Sequence, residues 1–155
     1  MQKKISAPGK IEPATPDDLD HILSIEKESS PNPWKKSFFE AELTGILSTI
    51  LVFKGLKEEG IKGFIIFRKI DDIVEINNIA VCIRERRMGI AESLLSFLKT
   101  FATKESVTEI FLEVRSQNTG AVKLYEKSGF KFSRIRKGYY SNPKDDALVF
   151  KLDID

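Results

Sequence analysis

Cysteine and histidine are almost absent from this sequence of 155 residues, which contains one of each, Cys82 and His21. A single cysteine cannot form a disulfide within the chain, which is typical of a reducing compartment, so we expect a cytoplasmic protein. The two residues are too few for the usual His/Cys metal clusters, and no dense carboxylate motif replaces them, so we expect no metal. A nucleophilic centre would depend on His21, which lies in a predicted surface helix, and we disfavour it.

Long apolar runs and a strong net charge are also missing. No stretch approaches the roughly 18 apolar residues that span a bilayer, and the N-terminus lacks the apolar region of a secretory signal, so we expect neither. A net charge of +2 is too small to indicate nucleic-acid binding. The remaining composition is 41% hydrophobic and 31% charged. It predicts one domain over residues 1–155, with residues 1–9 as a loose lead-in.

Helix caps, turn residues and hydrophobic periodicity predict the element order β-α-α-β-β-β-α-β-α-β-β. The helices are predicted at residues 15–29, 36–43, 90–102 and 118–127. The strands are predicted at residues 11–14, 47–56, 61–70, 73–81, 109–115, 130–136 and 147–152. A loop containing Tyr139 and Tyr140 is predicted between the last two strands. This order indicates an α/β fold with a mixed sheet.

A short basic loop joins the strand at residues 73–81 to the long helix that follows it. Its sequence at residues 86–91 is Arg-Arg-Met-Gly-Ile-Ala. Because Gly89 and Ala91 are small, an anion can approach the backbone closely. The N–H groups and the dipole of the first helical turn can then bind phosphate oxygens. The loop therefore indicates a phosphate site, although the same residues would also suit an ordinary helix start with solvated arginines.

Several separated blocks accompany this R-x-x-G-x-A loop in a fixed order. They are Pro-Trp at 33–34, Asn-Ile-Ala-Val at 78–81, Leu-Glu-Val-Arg at 112–115, Asn118, Leu-Tyr-Glu-Lys-Ser-Gly-Phe at 124–130 and Arg-Lys-Gly-Tyr-Tyr at 136–140. Over residues 11–153 the chain thereby resembles the GNAT superfamily of acetyltransferases, and within it the RimI group of bacterial ribosomal-protein alanine N-acetyltransferases. Ala91 and Met88 depart from the glycine and the polar residue that are commoner there. The resemblance implies a mixed, mostly antiparallel central sheet with helices on both faces.

The same resemblance implies acetyl-CoA as the co-substrate and two stretches that hold it. The backbone of Ile79, Ala80 and Val81 would pair with the pantetheine arm as an added strand does, with the Val81 N–H near the thioester carbonyl. By themselves these residues would also suit an ordinary central strand. The pyrophosphate would be bound by the basic loop and the residue after it, which are Arg86, Arg87, Met88, Gly89, Ile90, Ala91 and Glu92. Asn118, which is predicted to cap the next helix, would also contact the cofactor.

Two side chains are implied to carry the chemistry of direct acetyl transfer. Glu113 would be the general base, in a strand whose alternation puts Leu112 and Val114 on the opposite face. Its residue type alone leaves open a salt bridge with Arg115 or with a base on a neighbouring strand. Tyr125 would be the general acid for the departing thiolate, although an aromatic on the inward face of a helix is more often part of the core.

Three aromatic residues are expected to flank the acceptor amine. Trp34 follows Pro33 ahead of the second helix, which it could simply anchor, and Tyr139 and Tyr140 lie in the predicted loop. Cys82 needs no role, because direct transfer requires no acyl-cysteine.

The pKa of the acceptor favours an N-terminal amine. An α-amino group has a pKa of about 7.7–8.0 and lysine one near 10.4, so deprotonating lysine at neutral pH costs about 3 kcal/mol more. The first hypothesis is therefore an enzyme that acetylates the N-terminal alanine of a ribosomal protein, acting as a monomer or weak homodimer. The second is a GNAT enzyme for lysine or a small amine. The third is a non-catalytic acyl-CoA-binding module.

Overall fold

The computed structural model describes residues 8–57 and 59–155, and its centre is a seven-stranded sheet in the order β1-β2-β3-β4-β5-β7-β6. The strands are β1 Gly9–Pro13, β2 Ser48–Gly55, β3 Ile61–Ile70, β4 Ile73–Val81, β5 Glu109–Arg115, β6 Lys131–Ser141 and β7 Lys144–Asp153. The α-helices are α1 Leu19–Ser29, α2 Lys36–Thr44, α3 Ile90–Lys104 and α4 Thr119–Lys127, with 3-10 turns at Pro16–Asp18 and Ile83–Glu85. In the described part of the chain, none of the helices is long and apolar enough to cross a membrane.

One pair of neighbouring strands is parallel, and all the others are antiparallel. β4 and β5 run in the same direction because the chain crosses over between them through α3. Ile73 to Ile76 of β4 lie opposite Glu109 to Leu112 of β5, and the register ends there. The mixed, mostly antiparallel sheet predicted from the resemblance is thus confirmed.

The helices divide between the two faces of the sheet. α3 and α4 cover one face, where Leu94, Leu98 and Tyr125 pack among alternate residues of β5 such as Leu112. α1 and α2 cover the other face, where a second core forms around Ile22, Phe39, Ile50, Val52, Phe64 and Ile66. Side chains at alternate positions of one strand therefore lie in two different environments. Helices on both faces were predicted, and this too is confirmed.

The predicted bounds are wrong at both ends of the sheet. β1 begins at Gly9, inside the predicted lead-in, whose first seven residues lie outside the described part of the chain. β6 continues to Ser141, so Tyr139 and Tyr140 lie on a strand rather than in a loop. The periodicity is hidden by a bulge between Arg136 and Tyr140, where Gly138 has φ +62° and its N–H donates to Asp146 Oδ1 at 2.8 Å.

Candidate active site

A cleft of about 500 Å³ lies where β4 and β5 part. Beyond Ile76 and Leu112, where their register ends, β4 continues to Val81 and β5 to Arg115. The opening admits side chains from both faces of the sheet. The cleft is lined by Glu26, residues 29–35, Phe38, residues 76–80, residues 112–115, Asn118, Tyr125 and Tyr140.

A bulge in β4 contributes to this geometry. Ile66 of β3 lies opposite Asn78, while the next residue, Phe67, lies opposite Ile76, so Asn77 is the extra residue. A bulge bends its strand and interrupts the ladder, which fits the parting of β4 from β5. Beyond it, Ile79 packs toward α3 and Ala80 toward α1. Nothing in the sequence pattern revealed the bulge or the cleft position of Asn77.

Glu26 on α1 lines the cleft, although it was not among the site residues predicted from the sequence. Its side chain is buried, and Oε2 accepts the Trp34 N–H at 2.9 Å while Oε1 accepts the Asn78 amide at 3.1 Å. One carboxylate thus joins α1, the segment before α2, and β4. A charged residue among the apolar positions of α1 was the available signal, because charged side chains are rarely buried unless paired.

Glu113 lies on the α1/α2 face of β5 and lines the cleft. Its Oε1 is 2.6 Å from Arg136 Nη1 of β6, so a salt bridge exists. Its partner is neither Arg115 nor a base on a neighbouring strand, because β7 lies between β5 and β6. Arg115 instead donates to the Pro143 carbonyl at 2.7 Å and stacks on Tyr140 at 4.2 Å. The geometry therefore combines the two interpretations left open by the sequence, since the carboxylate is both paired and in a cleft.

Tyr125 reaches the cleft from the opposite face of the sheet. It is buried in the α3/α4 core, with its ring 6.0 Å from that of Phe130. Burial raises the pKa of the Tyr125 phenol, with a smaller contribution from Tyr140, so the hydroxyl stays protonated at neutral pH. Tyr125 is thus both a core residue and a cleft residue, and its hydroxyl can donate a proton or a hydrogen bond.

Two more polar groups lie on the cleft wall. Asn118 caps α4, where its Oδ1 accepts the Ala121 N–H at 3.2 Å. Among the residues that the structure describes, Ser29 Oγ is buried with no hydrogen-bond partner. A buried hydroxyl of this kind is suited to a ligand group, since an unsatisfied polar atom costs free energy.

The basic loop lies next to the cleft rather than on its wall. Gly89 has φ +81° immediately before α3, which a residue with a side chain adopts only with strain. Arg87 also has a positive φ of 65°, which the sequence did not indicate. Arg86 Nε donates to the Val81 carbonyl at 3.3 Å, and Glu92 pairs with Lys127 of α4 at 3.3 Å. Met88 is exposed, Ile90 is buried and Ala91 is half-buried.

The three aromatic residues that are predicted to flank the acceptor amine lie in different surroundings. Trp34 lines the cleft and also packs on Phe39 of α2 at 5.3 Å, so it does anchor the second helix. Tyr140 lines the cleft as well. Tyr139 is 48% exposed and lies under the Arg136 guanidinium at 4.2 Å, away from the cleft wall.

The remaining candidate groups lie apart from the cleft. His21 is exposed on α1, and the half-buried Cys82 thiol has a pKa raised by burial and by nearby carboxylates. In residues 8–57 and 59–155, no three His, Cys, Asp or Glu side chains are grouped as a metal site would require.

Comparisons with known proteins agree with this architecture. The Acetyltransferase (GNAT) family model matches residues 19–130. A ribosomal protein bS18-alanine N-acetyltransferase of Escherichia coli (strain K12) is 30% identical over 139 residues, which cover 88% of this chain and 92% of that protein. The crystal structure of the Escherichia coli ribosomal-protein-S18-alanine N-acetyltransferase has a TM-score of 0.86 at 28% identity, covering 95% and 94% of the two chains. Arabidopsis thaliana NAA60 in complex with acetyl-CoA has a TM-score of 0.83 at 20% identity, covering 94% and 98%.

The two hydrogen bonds of Glu26 lead to a stability prediction. Replacing Glu26 by Ala leaves the Trp34 N–H and the Asn78 amide without their acceptor. A buried donor left unsatisfied costs about 1–3 kcal/mol, so we expect the free energy of unfolding to fall by about 2 kcal/mol or more. Urea denaturation measures this change. Glu28→Ala is the matched control, because Glu28 is exposed and accepts one bond, from the Ile83 N–H at 3.0 Å. Equal losses in the two variants would contradict the structural role of Glu26.

Proposed function

The chain belongs to the GNAT acetyltransferase family and is an N-acetyltransferase that uses acetyl-CoA as co-substrate, and from this premise we propose that it acetylates the N-terminal α-amine of a ribosomal protein whose first residue is alanine. The observation that carries the proposal is the shared cleft: Glu113 enters it from the α1/α2 face of the sheet and Tyr125 from the α3/α4 face. A carboxylate and a protonated phenol are the base and the acid that amine acetylation needs.

The parted strands and the adjoining loop suit the co-substrate. When bound, acetyl-CoA supplies an activated acetyl thioester. We assign its pantetheine arm to the backbone of Ile79, Ala80 and Val81, which continues after β4 and β5 separate. Asn118, on the cleft wall, would contact the same molecule. The pyrophosphate is assigned to the N-terminus of α3 and the turn before it, which comprise Arg86, Arg87, Met88, Gly89, Ile90, Ala91 and Glu92.

Glu113 is proposed to take the proton of the acceptor amine. At neutral pH most α-amines carry that proton, and only the neutral amine has the lone pair that attacks the acetyl carbonyl. The Glu113 side chain is 18% exposed, so its carboxylate is reachable from the cleft yet shielded from bulk water. A general base of this kind contributes about 10²–10⁴-fold to a rate.

Tyr125 is proposed to give its phenolic proton to the departing thiolate. Its raised pKa means that the proton is held until a strong base forms beside it. A thiol in water has a pKa of about 8.5, but burial destabilises the thiolate just as it destabilises the phenolate. The proton removed from the amine and the proton given to sulfur then balance over one turnover, once solvent exchange has restored both side chains.

The choice of an N-terminal amine as acceptor depends on the pKa of that amine and on the name of a relative. A single carboxylate deprotonates an α-amine more easily than a lysine, and the Escherichia coli relative is named as a ribosomal protein bS18-alanine N-acetyltransferase. Trp34, Tyr139 and Tyr140 are assigned to the acceptor side, where Trp34 and Tyr140 line the cleft. A ribosomal protein as substrate would also place the enzyme in the cytoplasm. Because the chain is an N-acetyltransferase, the hypothesis of a non-catalytic module is dropped.

The acceptor prediction can be tested with peptides that differ in their first residue. We expect acetylation of a peptide that begins with alanine, with the added mass on its α-amine, as measured by tandem mass spectrometry. A matched peptide with a blocked N-terminus and an internal lysine should remain unmodified. Acetylation of that lysine, or of small amines alone, would contradict an N-terminal acceptor and favour the second hypothesis.

If Glu113 is the general base, the Glu113→Gln variant should lose activity in a pH-dependent way. The rate at pH 7 should fall about 10²-fold or more, because the base is missing, and the deficit should shrink at pH 9, where the amine is already neutral. Acetyl-CoA affinity should change little. Thiol release measures the rate, and Glu109→Gln, on the same face of β5, is the control. Wild-type activity in Glu113→Gln would remove the base assignment.

The role of Tyr125 predicts slower turnover in Tyr125→Phe with unchanged acetyl-CoA affinity. Since a general acid works while protonated and the pKa of Tyr125 is raised, the wild-type enzyme should show no loss of kcat as the pH rises to about 10. A pH series of kcat and a calorimetric titration with acetyl-CoA check both statements. An unchanged kcat in Tyr125→Phe would make the residue a packing residue.

A further inference from the structure

Glu113 of β5 forms an ion pair with Arg136 of β6, which lies two strands away in the sheet. Glu113 lies opposite Val149 of β7, and Arg136 of β6 lies opposite Ala147. The ion pair therefore crosses β7 diagonally on the face that Glu113 shares with the cleft, with 2.6 Å between Arg136 Nη1 and Glu113 Oε1. The Arg136 side chain is 42% exposed, so it is only partly shielded from water.

The bulge in β6 holds Arg136 in this position. Between Arg136 and Tyr140 the strand carries extra residues, and the positive φ of Gly138 lets the chain return to the ladder. Tyr139, in this stretch, lies under the guanidinium at 4.2 Å. Cation–π stacking on one side and a carboxylate on the other give the guanidinium two partners, which restricts its rotamers.

The charges around Glu113 show why a cation is needed there. Glu75 of β4 lies on the same face, and its pKa is raised by burial and also by the negative charge of Glu113. Two carboxylates that repel each other favour protonation of one of them. Charged or titratable groups on the same cleft wall are Arg115 on β5, Tyr140 on β6, Tyr125 on α4, Glu26 on α1 and Lys35 ahead of α2. Arg134 of β6 also lies opposite Val149, in the same row as Glu113.

In this region of the described chain, Arg136 is the cation that contacts the Glu113 carboxylate. Arg115 is turned toward the carbonyls of residues 142 and 143, and Lys35 is exposed at the rim of the cleft. The Glu113 carboxylate raises the pKa of the Arg136 guanidinium.

We propose that Arg136 is a positioning residue that keeps the Glu113 carboxylate directed into the cleft, so that it can accept the proton of the acceptor amine. A carboxylate that is free to rotate is in place for only part of the time. Arg136 acts through Glu113 and touches neither substrate. The proposal rests on the proposed base role of Glu113.

Arg136→Gln tests the proposal through kcat and through rescue by the conservative variant. Without the guanidinium, the Glu113 carboxylate is in place for only part of the time, so we expect kcat to fall about tenfold, with unchanged acetyl-CoA affinity. Arg136→Lys, which keeps the charge, should restore most of the wild-type kcat. Lys131→Gln, which removes an exposed cation at the start of the same strand, is the matched control.

A double variant separates this proposal from the proposed function. In a Glu113→Gln background, Arg136→Gln should cause no further loss, because the group through which Arg136 acts is gone. The proposal is overturned if Arg136→Gln keeps the wild-type kcat, or if it lowers kcat further in the Glu113→Gln background. Wild-type activity of Glu113→Gln alone would instead remove the base assignment itself, without any measurement on Arg136.

Discussion

The separation of β4 from β5 after four paired positions is the constraint on which the site depends. These are the two parallel neighbours in the sheet, joined through α3, and β4 carries an extra residue at Asn77 just where the register ends. A continuous sheet would keep Glu113 and Tyr125 on opposite sides of a wall. Because the strands part, side chains from both faces meet in one cleft, and a carboxylate in polar surroundings lies near a phenol in apolar surroundings.

Opening a sheet leaves a gap that another part of the chain must cover, and residues 30–35 do so. They are irregular in structure between α1 and α2, and their position depends on the buried carboxylate of Glu26, which accepts from Trp34 and Asn78. A buried charge is costly unless its oxygens are satisfied, and here both are. Trp34 adds packing against Phe39, so the segment is tied to both the second helix and the sheet.

Charge distribution separates the two proposed catalytic groups. Carboxylates cluster on the α1/α2 face, where Glu113 pairs with Arg136 and Glu42 pairs with Arg68, and Glu75 lies between them with a raised pKa. Tyr125 belongs to the apolar α3/α4 core, where burial keeps its phenol neutral. The same strand alternation that builds two hydrophobic cores therefore places the proposed base among charged side chains and the proposed acid among apolar ones.

Local patterns in the sequence were enough for the α/β class, the element order, and the bounds of β3, β4 and β5, since alternation and turn residues act between near neighbours. The loop before α3 and the blocks around Glu113 and Tyr125 also indicated the family. The extension of β6 was hidden because its bulge breaks the period of two. The tertiary structure alone decided that Glu26 holds Trp34 and Asn78, and that Arg136 rather than Arg115 pairs with Glu113. Those contacts join residues 8 to 52 positions apart, and pairings across such distances depend on how the strands are ordered in space.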